Sequence, residues 1–206
     1  MSRYTGPRLR KMRAVECDLP GLSPKTIWDR RPYPPGQHGP NRRRGKFSDF
    51  KLQLLEKQKL RFNYGVTERQ LTRLFRESQR RKGNTGDTLL ELLERRLDNV
   101  IFRAGFTVSI PSSRQLVCHG HVQVNGKKVD IPSYRLSVGD VVSFRERSQS
   151  LALVGEAIEK KGRWSNPDWI KVDNDQRRAE LVGLPTSESP PMLVEVQRVV
   201  EWYSRR

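Results

Sequence analysis

Residues 96–144, RLDNVIFRAGFTVSIPSSRQLVCHGHVQVNGKKVDIPSYRLSVGDVVSF, limit what this chain can fold into more than any other stretch. Leu89, Leu93, Leu97, Val100 and Ile101 recur at helical spacing, and Gly105 supplies the left-handed residue that closes such a helix, which predicts a helix from Leu89 to Ala104. Ser109 is placed to cap a second, short helix, with Pro111 in its first turn, Leu116 and Val117 on its apolar face and Gly120 as its stop. Val122 and Val124 then alternate with polar residues up to Asn125-Gly126, the pair favoured in a type I′ hairpin turn, and Val129 and Ile131 return. Gly139-Asp140 marks another turn before Val141, Val142 and Phe144. Two helices followed by a small antiparallel sheet make this stretch a compact α/β module.

Charge says what kind of partner such a module serves. The 206 residues carry 40 Lys+Arg against 23 Asp+Glu, a formal charge of +17, and only 34% are hydrophobic. A mean hydropathy of −0.76 and a pI near 10.5 describe a modest core under a strongly positive surface, so a polyanion is expected. No apolar run approaches transmembrane length and no signal peptide opens the chain, so the expectation is a soluble, intracellular protein without a membrane partner. Cys17 and Cys118 lie in unrelated segments, and an intracellular setting keeps them reduced.

From Met1 to Lys46 the cations are Arg3, Arg8, Arg10, Lys11, Arg13, Lys25, Arg30, Arg31, Arg42, Arg43, Arg44 and Lys46, opposed only by Glu16, Asp18 and Asp29. Prolines and glycines interrupt the segment throughout, so by itself it is expected to be extended or disordered, ordering against its partner and removable without unfolding the rest. Within it, RRPYPPGQHG (residues 30–39) is stiffened by prolines, and its glycines permit a close backbone approach to phosphate. Tyr4, Tyr33, Gln37 and His38 add stacking and hydrogen-bonding groups. Arginines outnumber lysines nine to three here, which suits phosphate and base contacts better than a point charge does.

Residues 48–103 read as helical. A first helix of about Asp49 to Phe62 carries Leu52, Leu55 and Phe62, a second opens on the capping box Thr67-Glu68-Arg69-Gln70 and continues through Leu71, Leu74, Phe75 and Ser78, and the Leu89 helix is the third. Lys57, Lys59, Arg61 and Tyr64 are candidates for contact with that polyanion, with a solvated face as the alternative. Further on, residues 148–161 predict a helix, Trp169, Ile170 and Val172 a short strand, and the valine-rich stretch Met192 to Trp202 an extended segment, all packing back on the helical part.

The ordered set RLDN, SRQLV, HGH, VNGKKVDIPSY and VGD, with SRYTGPRLR, VECDLPGL, RRPYPPGQHG, EKQKLRFNYG and VEVQRVVEWYSRR around it, resembles the family of small-subunit ribosomal protein four, in its bacterial or plastid, zinc-free form. The resemblance spans the chain and is weakest from Ala152 to Pro191. It implies an α+β protein in which a basic extended segment (1–47) and a helical domain (48–95) carry an inserted α/β RNA-binding module (96–150), followed by a C-terminal helix and strands (151–206). It also implies RNA-contact roles for Ser112, Ser113, Arg114, Gln115, Lys127, Lys128 and Arg135. Many members place arginine just after the serine that starts the second module helix, where this chain has Ile110-Pro111, so affinity must come more from elsewhere. Relatives that bind zinc use four cysteines in the first segment. Cys17 stands alone there, so no metal and no cofactor is expected.

The function implied is that of a structural protein: a primary binder of small-subunit rRNA at a multi-helix junction, nucleating assembly of the subunit body and influencing decoding accuracy. The implied neighbours are small-subunit ribosomal protein five, other ribosomal proteins and messenger RNA where it enters the subunit. The chain is expected as a single copy rather than a homo-oligomer, in the cytoplasm or, if organellar, the plastid stroma. Similar modules are appended to pseudouridine synthases and tyrosyl-transfer-RNA synthetases, but those carry a large catalytic domain. Here no phosphate-cradling glycine loop and no cluster of acid, base and nucleophile occurs, so the expectation is not an enzyme. A free-standing RNA chaperone would have no need of the proline-rich first segment.

Overall fold

The computed structural model describes residues 4–27, 31–41, 46–146, 152–159, 166–186 and 190–205. Two compact units result, Met1–Leu89 with Pro190–Arg206, and Leu90–Ser189, so the second is inserted into the first.

In the first unit the opening segment has a core of its own. Helix α1 (Arg8–Val15) ends on Glu16 in the left-handed conformation, and Met12, Val15, Leu19, Leu22 and Ile27 are buried with Leu9, Cys17, Leu55, Phe62 and Met192 against them. For residues 8–27 the expectation of an extended or disordered segment is therefore corrected. Five buried apolar side chains give this stretch a core that the charge count concealed. Helix α2 (Asp49–Asn63) starts on Ser48, whose side chain accepts from the Lys51 N–H, and α3 (Glu68–Arg80) starts on the complete Thr67/Gln70 capping box.

A second correction concerns the C-terminus. Residues Val196–Ser204 form a helix, α8, rather than an extended segment. Val199 and Trp202 sit on one face at i, i+3 and are buried, which the valine content concealed. Polar side chains seat it on α2: Gln53 donates to Glu201 at 2.8 Å, and Glu56 accepts from the Glu195 N–H at 3.1 Å. The Phe50 and Trp202 rings lie 4.8 Å apart.

The predicted single helix from Leu89 to Ala104 is two helices, α4 (Thr85–Glu94) and α5 (Leu97–Arg103). Arg96 is extended between them and bridges Arg135, while the Leu97 and Asp98 N–H groups, which have no partner within α5, donate to the Tyr134 and Pro132 carbonyls. Helix α6 (Ile110–Cys118) starts after Ser109 and closes on Gly120, whose N–H bonds Val117 while that of His121 bonds Leu116, a Schellman ending like the one Gly105 gives α5.

Strands β1 (Val122–Val124) and β2 (Lys127–Lys128) flank Asn125 and Gly126, both at positive φ as the type I′ turn requires. The predicted turns at Asn125 and Asp140 also hold one another: the Asn125 amide donates to the Asp140 carboxylate at 2.8 Å and accepts from the Val141 N–H at 2.9 Å. Strand β3 (Val141–Phe144) lies beside β1. The sheet then extends into the C-terminal segment through β4 (Ile170–Asp173) and β5 (Arg178–Leu181), in the antiparallel order β2-β1-β3-β5-β4.

Helix α7 (Ala152–Glu159) buries Val154 in the same core as Phe106, Val142, Trp169 and Leu181. Residues 152–159 and 166–186 thus belong to the same unit as the module, and 190–205 to the first unit. Among the described residues the total is eight helices and five strands, an α+β fold with a small antiparallel sheet.

Candidate nucleic-acid interface

Arg3, Arg30, Arg42, Arg43 and Arg44 lie outside the described residues. The other candidates separate by what holds each side chain.

In the first unit, the proline-rich loop is fixed from within. Arg13, in the last turn of α1, donates to the Tyr33 carbonyl at 2.8 Å and the Pro34 carbonyl at 3.3 Å, and its guanidinium lies 4.9 Å from the Tyr33 ring centroid. A Cβ at Gly39 would fall 2.0 Å from the Pro34 carbonyl oxygen, so this glycine serves the loop's own closure rather than an approach to phosphate. Gly36, at φ +109, turns in open space. The closed loop leaves Arg31, Gln37 and His38 exposed, as are Arg8 and Arg10 on α1 and Lys46 before α2. Lys11 is half-buried, its ammonium 4.9 Å from the Tyr4 ring and 5.1 Å from that of Phe62. Arg13 and Lys11 therefore act partly as structure.

Two α2 candidates are withdrawn. Lys57 is 4% exposed, with its ammonium 3.1 Å from both Glu68 carboxylate oxygens and 4.9 Å from the Trp202 ring. Tyr64 is 1% exposed. Glu68 also accepts from the Tyr203 hydroxyl at 2.9 Å, and Arg61 stands 3.7 Å away. This knot ties α2, α3 and α8 together. Burial first, then the Glu68 charge and hydrogen bond, hold the Tyr203 phenol well above its ordinary pKa. Lys59 is half-buried and paired with Glu56.

In the module, Ser113 is fully buried; its hydroxyl pairs with that of Thr107 at 2.6 Å, which removes it from any surface. Ser112 is half-buried beside Ser109. Arg114 is anchored: its Nε and Nη2 donate to Asp98 Oδ2 at 3.2 and 2.7 Å. Asp98 is fully buried and also takes two bonds from Arg96, which is 4% exposed. One carboxylate thus holds two guanidiniums, and Arg114 keeps a side-chain exposure of 15%. Arg135 is half-buried with its backbone bridged to Arg96, while Gln115, Lys127 and Lys128 are exposed.

One set of residues was missed. Arg69, Arg73, Arg76 and Arg80 on α3 are all exposed, and their spacing of i, i+4, i+7, i+11 was present in the sequence. The apolar half of that pattern places the helix, and its polar half is a row of four cations.

Each unit is thus a small folded support whose described surface presents cations and amide donors, the property of an α+β polyanion-binding protein with an RNA-binding module. Residues 3–94 match the ribosomal protein S4/S9 N-terminal domain family and residues 95–142 the S4 domain family, the two abutting at the break between α4 and α5. The small ribosomal subunit protein uS4 of Methylobacillus flagellatus is 53% identical over 206 residues, all of both chains. The uS4B protein of Nitrosomonas europaea is 51% identical and the uS4 protein of Synechocystis 48%, again over the full length of both. The chain belongs to the bacterial-type uS4 family, whose members are structural proteins and not enzymes. No described helix is long and apolar enough to cross a membrane.

Proposed function

We propose that this chain is a primary binder of small-subunit rRNA in the cytoplasmic ribosome, seated where several RNA helices meet and nucleating assembly of the subunit body. The observation that carries this reading is the likeness to uS4 proteins over the full length of both chains. The chemistry supports it. Arg8, Arg10, Arg31 and Lys46 are exposed cations on a preformed support, and Gln37 and His38 offer hydrogen bonds and a stacking face from a loop that Arg13 has already ordered. Ordering before binding removes an entropic cost that a disordered tail would meet on contact. Phosphates would be neutralised with release of counterions, and unpaired bases or sugar edges read where helices meet. The same reading places small-subunit ribosomal protein five, other ribosomal proteins and incoming messenger RNA beside the chain, and gives it an influence on decoding accuracy.

The test is direct. Purified protein is expected to bind protein-free small-subunit rRNA, with affinity falling steeply as salt rises, and to co-sediment with small subunits from a gentle low-salt lysate. Binding only after other ribosomal proteins are in place would refute the primary role. Protein found free of particles would refute the ribosomal one.

A further inference from the structure

We propose that the outer face of α3 is a second phosphodiester-binding surface, formed by Arg69, Arg73, Arg76 and Arg80; the proposal rests on the rRNA reading above and extends it to an element that reading does not use. At 100° per residue, i, i+4, i+7 and i+11 fall within an arc of about 60°, and at a rise of about 1.5 Å they form a row about 16 Å long. All four side chains are exposed, and none has a carboxylate partner among the described residues.

The carboxylates of α3 are engaged elsewhere. Glu68 faces inward to Lys57 and Tyr203, and Glu77 pairs with Arg81 at 3.0 Å. Leu71, Leu74, Phe75 and Ser78 bury the opposite face, so the packing that seats the helix turns the row outward. Like charges at i, i+3 and i+4 destabilise a helix, and Arg–Glu alternation would have served solubility without that cost. The residue type is also informative. Guanidinium forks at successive turns suit the anionic oxygens along a nucleic-acid strand, with no base read out.

The experiment compares wild type, Arg73→Gln/Arg76→Gln and, as a control of equal charge loss on the β4–β5 hairpin, Lys171→Gln/Arg178→Gln. Binding to protein-free small-subunit rRNA is measured across a salt titration, with thermal melting of each free protein alongside. The α3 variant is expected to lose about tenfold or more in affinity. The slope of log K against log salt should become shallower by about 1.4 to 1.8, two phosphate contacts' worth. Its free-state melting temperature should be unchanged or raised, because the lost charges repelled one another. The control is expected to keep the wild-type slope. An α3 variant with wild-type affinity and slope, or a control that loses as much, would overturn the assignment while leaving wild-type binding to support the rRNA reading. Unaltered rRNA binding with failure to enter assembled particles would transfer the row to an acidic protein surface and equally overturn it. Wild-type protein that did not bind at all would remove both readings.

Discussion

Asp98→Asn keeps the shape of the buried side chain and removes its charge, and so tests whether one carboxylate organises the start of the module. In the native chain Asp98 accepts from Arg96 Nε at 3.1 Å and Nη2 at 2.8 Å, and from Arg114 Nε at 3.2 Å and Nη2 at 2.7 Å. After substitution two guanidiniums share one amide oxygen. Arg114 can move toward solvent, with 15% of its side chain already exposed, whereas Arg96, at 5%, cannot. The dominant cost is therefore an uncompensated Arg96 charge. Breaking a buried pair in this way costs about 3 to 5 kcal/mol, and the remaining acceptor oxygen favours the lower end. Urea titration is the assay. With m of about 1 to 3 kcal/mol per M, a loss of 3 kcal/mol lowers the midpoint by about 1 to 3 M. Arg96→Gln is expected to cost more than Arg114→Gln, for the same reason of exposure. A loss below about 1 kcal/mol for Asp98→Asn, the size of a surface pair, would refute the reasoning.

Other perturbations follow from the same contacts. Trp202→Ala removes the buried ring that seats α8 and should cost about 3 to 5 kcal/mol by urea titration, with faster amide exchange in α8. Arg13→Ala should leave α1 folded while exposing the 31–39 loop to limited proteolysis, because both carbonyl contacts and the ring contact vanish together. The raised pKa of Tyr203 means that the native state favours the neutral phenol. Its contribution is complete below the ordinary phenol value of about 10 and declines as pH climbs from there toward the higher native value, so Tyr203→Phe should flatten stability curves measured above about pH 10. Deleting residues 1–46 should lower the melting temperature of the remainder, since Leu55, Phe62 and Met192 lose the partners that cover them.

Local signals in the module were legible because their causes are local. Gly105, Gly120 and Asn125-Gly126 have the left-handed backbone their residue types favour; outside the module the Thr67/Gln70 capping box forms as read, whereas Ser109 opens α6 without a side-chain cap bond. The family pattern was legible for the same reason, as an ordered series of short motifs. The opening segment departs from its expectation because Met12, Val15, Leu19, Leu22 and Ile27, spread among many cations, converge into a core only in three dimensions. Lys57 is held by Glu68 of α3 and lies against Trp202 of α8, and Tyr64 is buried at the end of α2, neither of which spacing along one helix can reveal.

By itself the sequence determined the charge, the starts of α2, α3 and α6, the stops at Gly105 and Gly120, the hairpin and the family, all of which depend on neighbours a few residues apart. Only tertiary structure decided which cations are available. Arg114 and Lys57 have the same charge as Arg31 or Arg73, yet a carboxylate 16 residues away and another 11 residues away bind the first two. Tertiary structure likewise broke the Leu89–Ala104 helix at Arg96, since the partners of Leu97 and Asp98 arrive from Tyr134 and Pro132. It also made a helix of the valine-rich end, where burial of Val199 and Trp202 against α2 outweighs a modest β propensity.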